Sequence, residues 1–524
     1  MNRFKKFIIN GLMLTAVSLV MRTVGVSFNV YISNTVGAEA MGLFTLISTV
    51  YGFAITLATS GINLATTRLV SEALGELSSS GIRINTGKTP SVRRVMIQAI
   101  AYCLFFSSLA SCLLFLSAPS ISVNILKDAR CISSLRVLAI TLPPISISSA
   151  LSGYFTAVRR VYKNALTQVC EQIIKIFLCV LLLTFFFAND AESACVCISA
   201  GGAVAEILSF ILQGILYIFE KSDPLSAAAS LPSKKTVKRK LRGIALPVAF
   251  SAYLRSGLIT IEHILIPWGL ERSGASRTRS LAAYGTIHSM VFPVVFFPSA
   301  LLSSFAGLLV PELAQAKAER KTDDIDRIVS NVFETSLIFS IGTAGIMIFF
   351  AYELGNMIYP ETDAGIYIKM IAPLIPVMYL DTAVDAMLKG LGEQVYSMGV
   401  NIVDSLLSVI LVALLLPAFG INGYIITVYF TELTNATLSI TRLLTVSQIK
   451  PKVFMRVIKP LASIILASIA VKYIALIPLF NIISGAALSI SHIALTAAIY
   501  ISLLLVFGSL RGKKIKKAVK LLQK

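Results

Sequence analysis

The sequence has little charge, and acidic residues are its scarcest charged class. Only 14% of its 524 residues are charged, with 26 Asp and Glu against 46 Lys and Arg. Hydrophobic residues make up 56% of the chain and the mean hydropathy is +0.82, which excludes an ordinary soluble globular protein. In a soluble protein the net charge of +20 would suggest a nucleic-acid partner, but these basic residues lie in short segments beside apolar runs. We therefore expect a membrane surface, and no nucleic acid, as the partner of this charge.

Cysteine and histidine are too few and too scattered to indicate a redox or metal centre. Most of the seven cysteines lie inside apolar runs without C-x-x-C spacing, which is typical of small core residues. The three histidines, His263, His288 and His492, have no zinc-binding spacing, and no G-x-S-x-G motif is present. We therefore predict no metal, no cofactor and no enzymatic activity.

One stretch matches a nucleotide-binding pattern but lacks the context that this chemistry needs. "GIRINTGKT", residues 81–89, fits G-x-x-x-x-G-K-[ST], a loop whose backbone N–H groups cradle phosphates after a buried strand. Here "LGELSSS" precedes the loop, Pro90 follows it, and no hydrophobic strand ends in a magnesium-binding Asp. We therefore predict a flexible basic cytoplasmic loop and no nucleotide partner.

Long apolar runs occupy most of the chain. Each has about twenty residues, enough to cross ~30 Å of hydrocarbon as a helix. The pattern predicts an all-α membrane protein with about fourteen transmembrane helices and no long soluble domain. The runs are 8–33, 41–65, 94–117, 132–156, 164–188, 194–218, 243–268, 281–311, 327–350, 364–388, 395–417, 420–446, 456–480 and 485–508.

The distribution of Lys and Arg predicts the orientation of these helices. Basic residues collect at the N-terminus and in every second loop, including "KKTVKRKLR" at 234–242, while Lys127, Arg130 and the stretch 272–279 are exceptions. Both termini are therefore expected in the cytoplasm. The tail "RGKKIKKAVK", residues 511–520, fits an amphipathic helix on anionic lipid, and a merely solvated basic tail fits equally well.

An internal repeat divides the chain into two halves. Residues 152–183 align without gaps on residues 385–416, an offset of 233, and both segments end in a leucine triplet. Six spans are thus repeated by six, with two spans left over. The predicted divisions are an N-lobe at 1–220, a basic cytoplasmic linker at 221–242, a C-lobe at 243–447, two further helices at 448–510 and a basic tail at 511–524.

Two arginines occupy matching positions in this repeat. Arg22 lies in "LVMRTVGVSF" and Arg255 lies at the repeat offset from it in "AYLRSGLITI", each inside an apolar run. A charge at that depth costs about 2.5–3.5 kcal/mol on insertion scales, which favours a functional role. We predict that the two face each other across a central cavity. The alternative is that each arginine snorkels or pairs locally, for example Arg255 with Glu262.

Further charges lie inside the predicted spans. Glu171 and Lys175 share one face of the fifth span, where they can neutralise each other. Buried carboxylates are costly unless they are paired, protonated or bound to an ion, so these residues are candidates for binding Na⁺ or a proton during transport. For Glu171 and Lys175 a structural internal pair is the favoured interpretation, and for each of the other carboxylates burial in a paired helix interface is an equal alternative. The set comprises Glu171, Lys175, Asp381, Asp385, Asp404 and Glu432.

Several motifs together resemble one family. They are R-x-x-G from Arg22 to Gly25, "NTVGAEAMGLFTLISTVYGF" and "FPSALLSSFAGLLVPELAQA", in that order. The chain resembles the polysaccharide-export and flippase proteins of the stage V sporulation protein B type, in the multidrug/oligosaccharidyl-lipid/polysaccharide exporter superfamily. The resemblance implies two six-helix lobes around a V-shaped cavity and alternating access. It also implies export of a lipid-linked, polyprenyl-pyrophosphate saccharide or cell-wall precursor across a bacterial cytoplasmic membrane.

The resemblance also suggests site residues and rivals. Phe28 and Asn29 stand where lipid II flippases carry an arginine and an aspartate, which disfavours lipid II itself, and His288 replaces another arginine. The predicted substrate-binding residues are therefore Arg22, Arg255 and His288. A cation-coupled multidrug exporter of the same superfamily is the first alternative, although its acidic cavity suits cationic drugs better than these arginines do. A membrane-embedded glycan polymerase or scaffold would need long outer loops, which are absent.

Overall fold

The computed structural model describes residues 3–79, 89–220, 233–319, 321–360, 362–447, 453–474 and 485–508. Within these ranges every regular element is a helix, and no strand occurs. Three predicted segments lie wholly or partly outside the described residues: residues 81–88 of the basic loop at 81–89, residues 221–232 of the linker at 221–242, and the tail at 511–524.

The α-helices follow one another with short breaks. In the part of the chain that the structure describes, two π-helical turns, Ile121–Ile125 and Thr286–Val291, and two 3₁₀ turns, Ala129–Cys131 and Ala372–Leu374, interrupt them. In chain order the α-helices are α1 Arg3–Thr59, α2 Ile62–Ser79, α3 Pro90–Ser120, α4 Ile132–Ala139, α5 Leu142–Ala157, α6 Val161–Phe186, α7 Ala191–Ile218, α8 Lys234–Arg272, α9 Arg277–Gly285, α10 Phe292–Phe296, α11 Ser299–Ala318, α12 Thr322–Phe349, α13 Ala351–Ile358, α14 Ala364–Ile371, α15 Ile375–Gly390, α16 Gln394–Phe419, α17 Ile421–Ser447, α18 Val453–Ile474 and α19 Ala486–Val506.

Many of these helices have the length and apolarity of membrane spans. In the described ranges ten helices meet both criteria, or eleven if Ala129–Ala139 and Leu142–Ala157, bent by 46°, form one broken span. The first of the ten, Leu19–Gly75, overlaps two predicted runs. Inside it α1 has a kink at Gly37, whose φ of +82° is a conformation open to glycine, and this kink lies between the two runs. The protein is therefore an all-α multi-pass membrane protein, and the observed count is compatible with fourteen helices.

The repeat read from the sequence reappears in the helix ends. Both ends of α5 match both ends of α15 at the repeat offset, and α6 matches α16 in the same way. Each helix pair is joined by a turn with a positive φ at the same position, +59° at Arg159 and +77° at Gly392. Because a residue with positive φ ends a helix by turning its last carbonyls onto the following amides, both halves use the same corner.

The chain divides into two compact units. The N unit comprises residues 39–268 and 277–282, and the C unit comprises residues 1–38, 269–276 and 283–524. The beginning of α1 therefore belongs to the C unit, whereas α8 up to Trp268 belongs to the N unit. The lobe boundaries predicted from the repeat stay a prediction, because the compact units are a separate division of the chain.

Each unit has its own hydrophobic core. In the N unit, α2, α3 and α5 pack together with the first turns of α8, through buried residues such as Tyr154 and Leu241. In the C unit, α11, α12, α15 and α17 form the core together with α18 and α19. Gly342 and Gly345 on α12 admit the last two helices closely, since a Cβ at either position would overlap Tyr500 or Ile464. The two helices beyond the repeat thus pack on α12.

Candidate functional site

Arg22 binds the backbone at a helix break. It lies on α1, half-buried in the C unit, and its Nη2 donates to the carbonyl oxygen of Phe296 at 2.8 Å and lies 3.5 Å from Ser299 Oγ. The break follows from Pro298, which has no N–H to continue the helix, so α10 ends at Phe296 and α11 starts at Ser299. The freed carbonyl of Phe296 also accepts a hydrogen bond from Ser299 Oγ at 2.7 Å. The guanidinium of Arg22 is therefore bound by the dipoles of a backbone carbonyl and a hydroxyl.

Arg255 has different surroundings. It lies on α8 in the N unit, is exposed, and makes no hydrogen bond or ion pair with any residue in the described ranges. Its neighbour Tyr253 contacts Ser60 through their hydroxyls, and Ser256 lies 3.3 Å from Thr56, measured between the hydroxyl oxygens. These contacts hold α8 against the break between α1 and α2. The local pairing of Arg255 with Glu262, which the sequence left open, is not formed.

His288 belongs to an aromatic group in the C unit. It lies in the π-helical turn Thr286–Val291, and its Nε2 is 2.9 Å from the hydroxyl of Tyr424 on α17. Its ring centroid lies 4.7 Å from that of Tyr284 and 5.2 Å from that of Phe292. These contacts attach α17 to the π-helical turn, and a role of His288 in substrate binding stays a prediction.

The structure brings four predicted carboxylates together in the C unit. Asp381 and Asp385 lie on α15, Asp404 on α16 and Glu432 on α17, and Asp381 interacts electrostatically with all of the others. Asp385 is partly neutralised, because it accepts a hydrogen bond from Lys389 Nζ at 2.5 Å and another from Ser397. The buried Asp381 Oδ1 accepts no hydrogen bond from the described residues. The group can therefore take up a proton or a cation.

A polar cavity of about 260 Å³ lies inside the N unit. Its lining contains two carboxylates, which interact electrostatically with each other, together with serine, threonine and amide side chains. Asn164 donates to the carbonyl oxygen of Ser152 at 3.0 Å and accepts a hydrogen bond from Gln213 at 3.3 Å, so part of the wall is fixed. The principal polar residues are Glu171, Glu206, Asn63, Asn164, Gln168 and Gln213.

Glu171 and Lys175 do not form the ion pair that their spacing suggested. Neither side chain has an ion-pair partner among the described residues, and Glu171 lines the cavity instead. Spacing of i, i+4 places two side chains on one helix face without forcing them to meet. The sequence analysis did not identify this cavity, although one signal for it exists. Polar residues recur at the repeat offset in the pairs Ser148 and Asp381, Ser152 and Asp385, and Glu171 and Asp404.

The threonine of the nucleotide-type pattern has a structural role. Thr89 is buried and caps the N-terminus of α3, where its side chain accepts a hydrogen bond from the Val92 N–H at 3.3 Å. Pro90 occupies the first helical position, which suits a residue without an N–H. Threonine and proline at these two positions are thus explained by the start of a helix.

Comparisons with known proteins give consistent matches. The family model described as polysaccharide biosynthesis protein matches residues 7–311, and the MatE model matches residues 274–414. The chain is 24% identical to stage V sporulation protein B of Bacillus subtilis (strain 168) over 527 residues, which covers 98% of this chain and 97% of that protein. It is 22% identical to the lipid II flippase MurJ of the same organism, with 79% and 78% covered.

Solved structures share the fold. An inward closed conformation of the lipid II flippase MurJ matches with a TM-score of 0.68 at 12% identity, covering 94% of this chain and 98% of that one. An inward-facing multidrug resistance MATE family transporter of the MOP superfamily matches with a TM-score of 0.61 at 13% identity, covering 83% and 99%. The chain thus has the fold of these transporters.

Proposed function

The chain belongs to the polysaccharide biosynthesis protein family, and from this premise we propose that it moves a lipid-linked saccharide between the leaflets of a bacterial cytoplasmic membrane. The substrate is a polyprenyl-pyrophosphate saccharide or cell-wall precursor, exported from the inner to the outer leaflet by alternating access. Similarity to stage V sporulation protein B along nearly the whole chain, and to a lipid II flippase, supports this proposal over drug export.

One observation carries the proposal. No carboxylate among the described residues pairs with Arg22 inside its apolar helix, because its partners there are a carbonyl and a hydroxyl. Both contacts use Nη2, so Nε and Nη1 keep N–H donors for another acceptor. A planar guanidinium binds phosphate oxygens through two parallel hydrogen bonds. Arg22 therefore fits the pyrophosphate headgroup of the carrier, and Arg255 and His288 are proposed to bind the same headgroup.

Energy for the cycle is proposed to come from a cation gradient. The four carboxylates in the C unit interact electrostatically with one another, and the buried Asp381 Oδ1 accepts no hydrogen bond from the described residues, so Na⁺ or protons are proposed to bind there. In the N unit Glu171 and Lys175 are the corresponding candidates. Neutralisation would remove the electrostatic cost of burying these groups and so favour one conformation of the transporter.

The orientation is proposed to place both termini and the basic loops in the cytoplasm, where anionic lipids bind them. Two arginines, Arg130 and Arg277, are exceptions to this orientation because they lie in predicted outer segments, and their contacts are compatible with it. Arg130 pairs with Asp128 at 2.8 Å and with Glu39 at 3.0 Å, and Arg277 lies 3.9 Å from Asp128. Burial alone would raise the pKa of Asp128, but hydrogen bonds from Arg130 hold that pKa below its ordinary value. These arginines are thus neutralised.

The test is flipping of a fluorescent polyprenyl-pyrophosphate saccharide in proteoliposomes, measured by quenching from outside. We expect Arg22→Ala to lower the rate by about 10- to 100-fold, because a charge-assisted contact contributes roughly 1.5–3 kcal/mol. Arg22→Lys keeps the charge but loses the planar fork, so it should retain part of the rate.

The matched control is Arg327→Ala, which removes an exposed arginine on α12 that pairs with Asp324 three residues earlier. It should flip substrate at the unmodified rate. Unchanged flipping by Arg22→Ala, with the protein inserted at the normal level, would overturn the headgroup assignment.

A second candidate function is cation-coupled export of cationic drugs. The MatE match and the carboxylate group of the C unit favour it. Drug efflux from vesicles that depends on Asp381 and not on Arg22 would establish this function in place of the first.

A further inference from the structure

The polar cavity of the N unit is unused by the proposed headgroup contacts. Its lining carries the carboxylates of Glu171 and Glu206, hydroxyls and amides, one apolar residue, Ile145, and, among the described residues, no Lys or Arg. Such a surface has an excess of hydrogen-bond acceptors. Lys175, outside the lining, interacts electrostatically with Glu206, but the two carboxylates of the lining outnumber it. The cavity therefore favours a ligand that brings several O–H or N–H donors, and it disfavours an anion.

The volume of the cavity suits a sugar ring better than a bare ion. A single water molecule needs only about 10–15 Å³ of such cavity volume, so 260 Å³ is far more space than one bare ion requires. One dehydrated cation would leave most of this polar space to be filled by water. A sugar ring with its hydroxyl groups would fill it and engage several walls at once.

The wall is also arranged before any ligand arrives. Gln213 is 5% exposed and donates to Asn164, which in turn donates to the backbone at Ser152. On another side, Asn63 on α2 donates to the carbonyl oxygen of Ser149 on α5 at 3.1 Å. Because these side chains are already fixed, binding does not have to order them.

We propose that this cavity is a saccharide subsite that accepts one uncharged or amine-bearing sugar ring and rejects anionic sugars. Glu171 and Glu206 would accept hydrogen bonds from sugar hydroxyls or bind a protonated amine, and the amide groups would bind the remaining hydroxyls. The assignment rests on the proposed function, since it gives the cavity to the saccharide portion of the carried lipid. It makes the cavity a determinant of which glycan is exported.

The test is binding of methyl glycosides to the full chain in lipid nanodiscs, measured by titration calorimetry in sodium-free buffer. The probes are the methyl glycosides of N-acetylglucosamine, glucosamine and glucuronic acid. We expect the first two to bind with a dissociation constant on the order of 1 mM, as suits so small a ligand, and the glucuronide at least about tenfold more weakly.

Two variants and one control locate the site. Glu206→Gln should weaken glucosamine binding by at least about tenfold, because it removes a charged acceptor. Ser149→Leu should abolish binding of every sugar by filling the cavity without changing its charge. Glu72→Gln is the control, since Glu72 lies in the same unit outside the cavity and pairs with Arg68 and Lys240. It should bind like the unmodified chain.

The outcomes distinguish this proposal from the headgroup assignment. Sugar binding that persists in Arg22→Ala, whatever its flipping rate, supports the subsite independently. Equal affinity for the glucuronide, or sugar binding unaffected by Ser149→Leu, would overturn it. So would sodium binding that depends on Glu206 in a chain that binds no sugar, because the cavity would then be a cation site.

Discussion

The two units treat equivalent arginines differently. In the C unit, Arg22 is held by the carbonyl that the break before α11 sets free. In the N unit, Arg255 is exposed, and Tyr253 and Ser256 instead contact the break before α2. The backbone break is common to both units, whereas the side chain that binds it has diverged. Repeat symmetry therefore predicts where a helix breaks better than it predicts which side chain uses the break.

A second comparison concerns the corners that follow α5 and α15. Arg160 and Glu393 are equivalent in the repeat, and each directly follows the positive-φ residue of its corner. In the N unit Arg160 and Lys163 pair with Glu220 after α7, and in the C unit Glu393 pairs with Arg442 on α17. Each corner is thus fixed by an ion pair with the charges exchanged, although Glu220 and Arg442 do not occupy equivalent positions of the repeat. The side chain of Glu220 is 0% exposed and that of Glu393 is 21% exposed, so the two links differ in strength.

The largest expected effect is on the flipping rate when each of the two arginines is replaced. Arg255→Ala should lower flipping about as much as Arg22→Ala if both bind the headgroup. It should leave the melting temperature unchanged, because Arg255 has no hydrogen bond or ion pair to lose among the described residues. Arg22→Ala should lower the melting temperature as well, since it removes a charge-assisted hydrogen bond. Normal flipping by Arg255→Ala would show that only one arginine of the pair is functional.

The next effect tests the two corners. Glu220→Gln leaves two partly buried cations without their partner and should lower the free energy of unfolding by about 3 kcal/mol. Glu393→Gln breaks a partly exposed pair and should cost about 1 kcal/mol or less. Helicity measured by circular dichroism during heating reports both variants. Equal losses would contradict the difference in burial.

A thiol-reactive dye can localise that loss. All seven cysteines lie between residues 103 and 197, inside the N unit, and most are buried. Dye uptake on heating therefore reports unfolding of the N unit, and it should shift for Glu220→Gln but hardly for Glu393→Gln.

The smallest effect concerns the positive-φ residues. Arg159 adopts φ +59° although it has a Cβ, so Arg159→Gly should stabilise the chain by up to about 1 kcal/mol. Gly392→Ala should destabilise it by about 1 kcal/mol, through backbone strain alone, since only Lys317 Nζ among the described atoms comes within 4 Å of the added Cβ. Melting temperatures of both variants check the signs. A stabilising Gly392→Ala would show that the two corners are not equivalent.

Much of the fold is contained in local sequence. Apolar runs of membrane length predict helices because a chain in hydrocarbon must satisfy its backbone hydrogen bonds internally. The offset of the repeat, found by aligning the sequence with itself, reappears at both ends of α5 and α6 in α15 and α16. The sequence also identified Asp381, Asp385, Asp404 and Glu432 as candidates, but that they lie together depends on the packing of α15, α16 and α17.

What the sequence by itself determined is therefore the all-α membrane class, the repeat and the positions of the intramembrane charges, all of which depend on residue type and spacing. Only the tertiary structure decided which unit each first helix joins, that Arg22 binds a freed carbonyl while Arg255 stays exposed, and that Glu171 lines a cavity and does not pair with Lys175. The physical reason is that a charged side chain in a membrane span can be stabilised in several ways, by a backbone carbonyl, by exposure or by a polar cavity. Which of them is used depends on groups brought near by helices distant in sequence, and spacing along one helix carries no information about them.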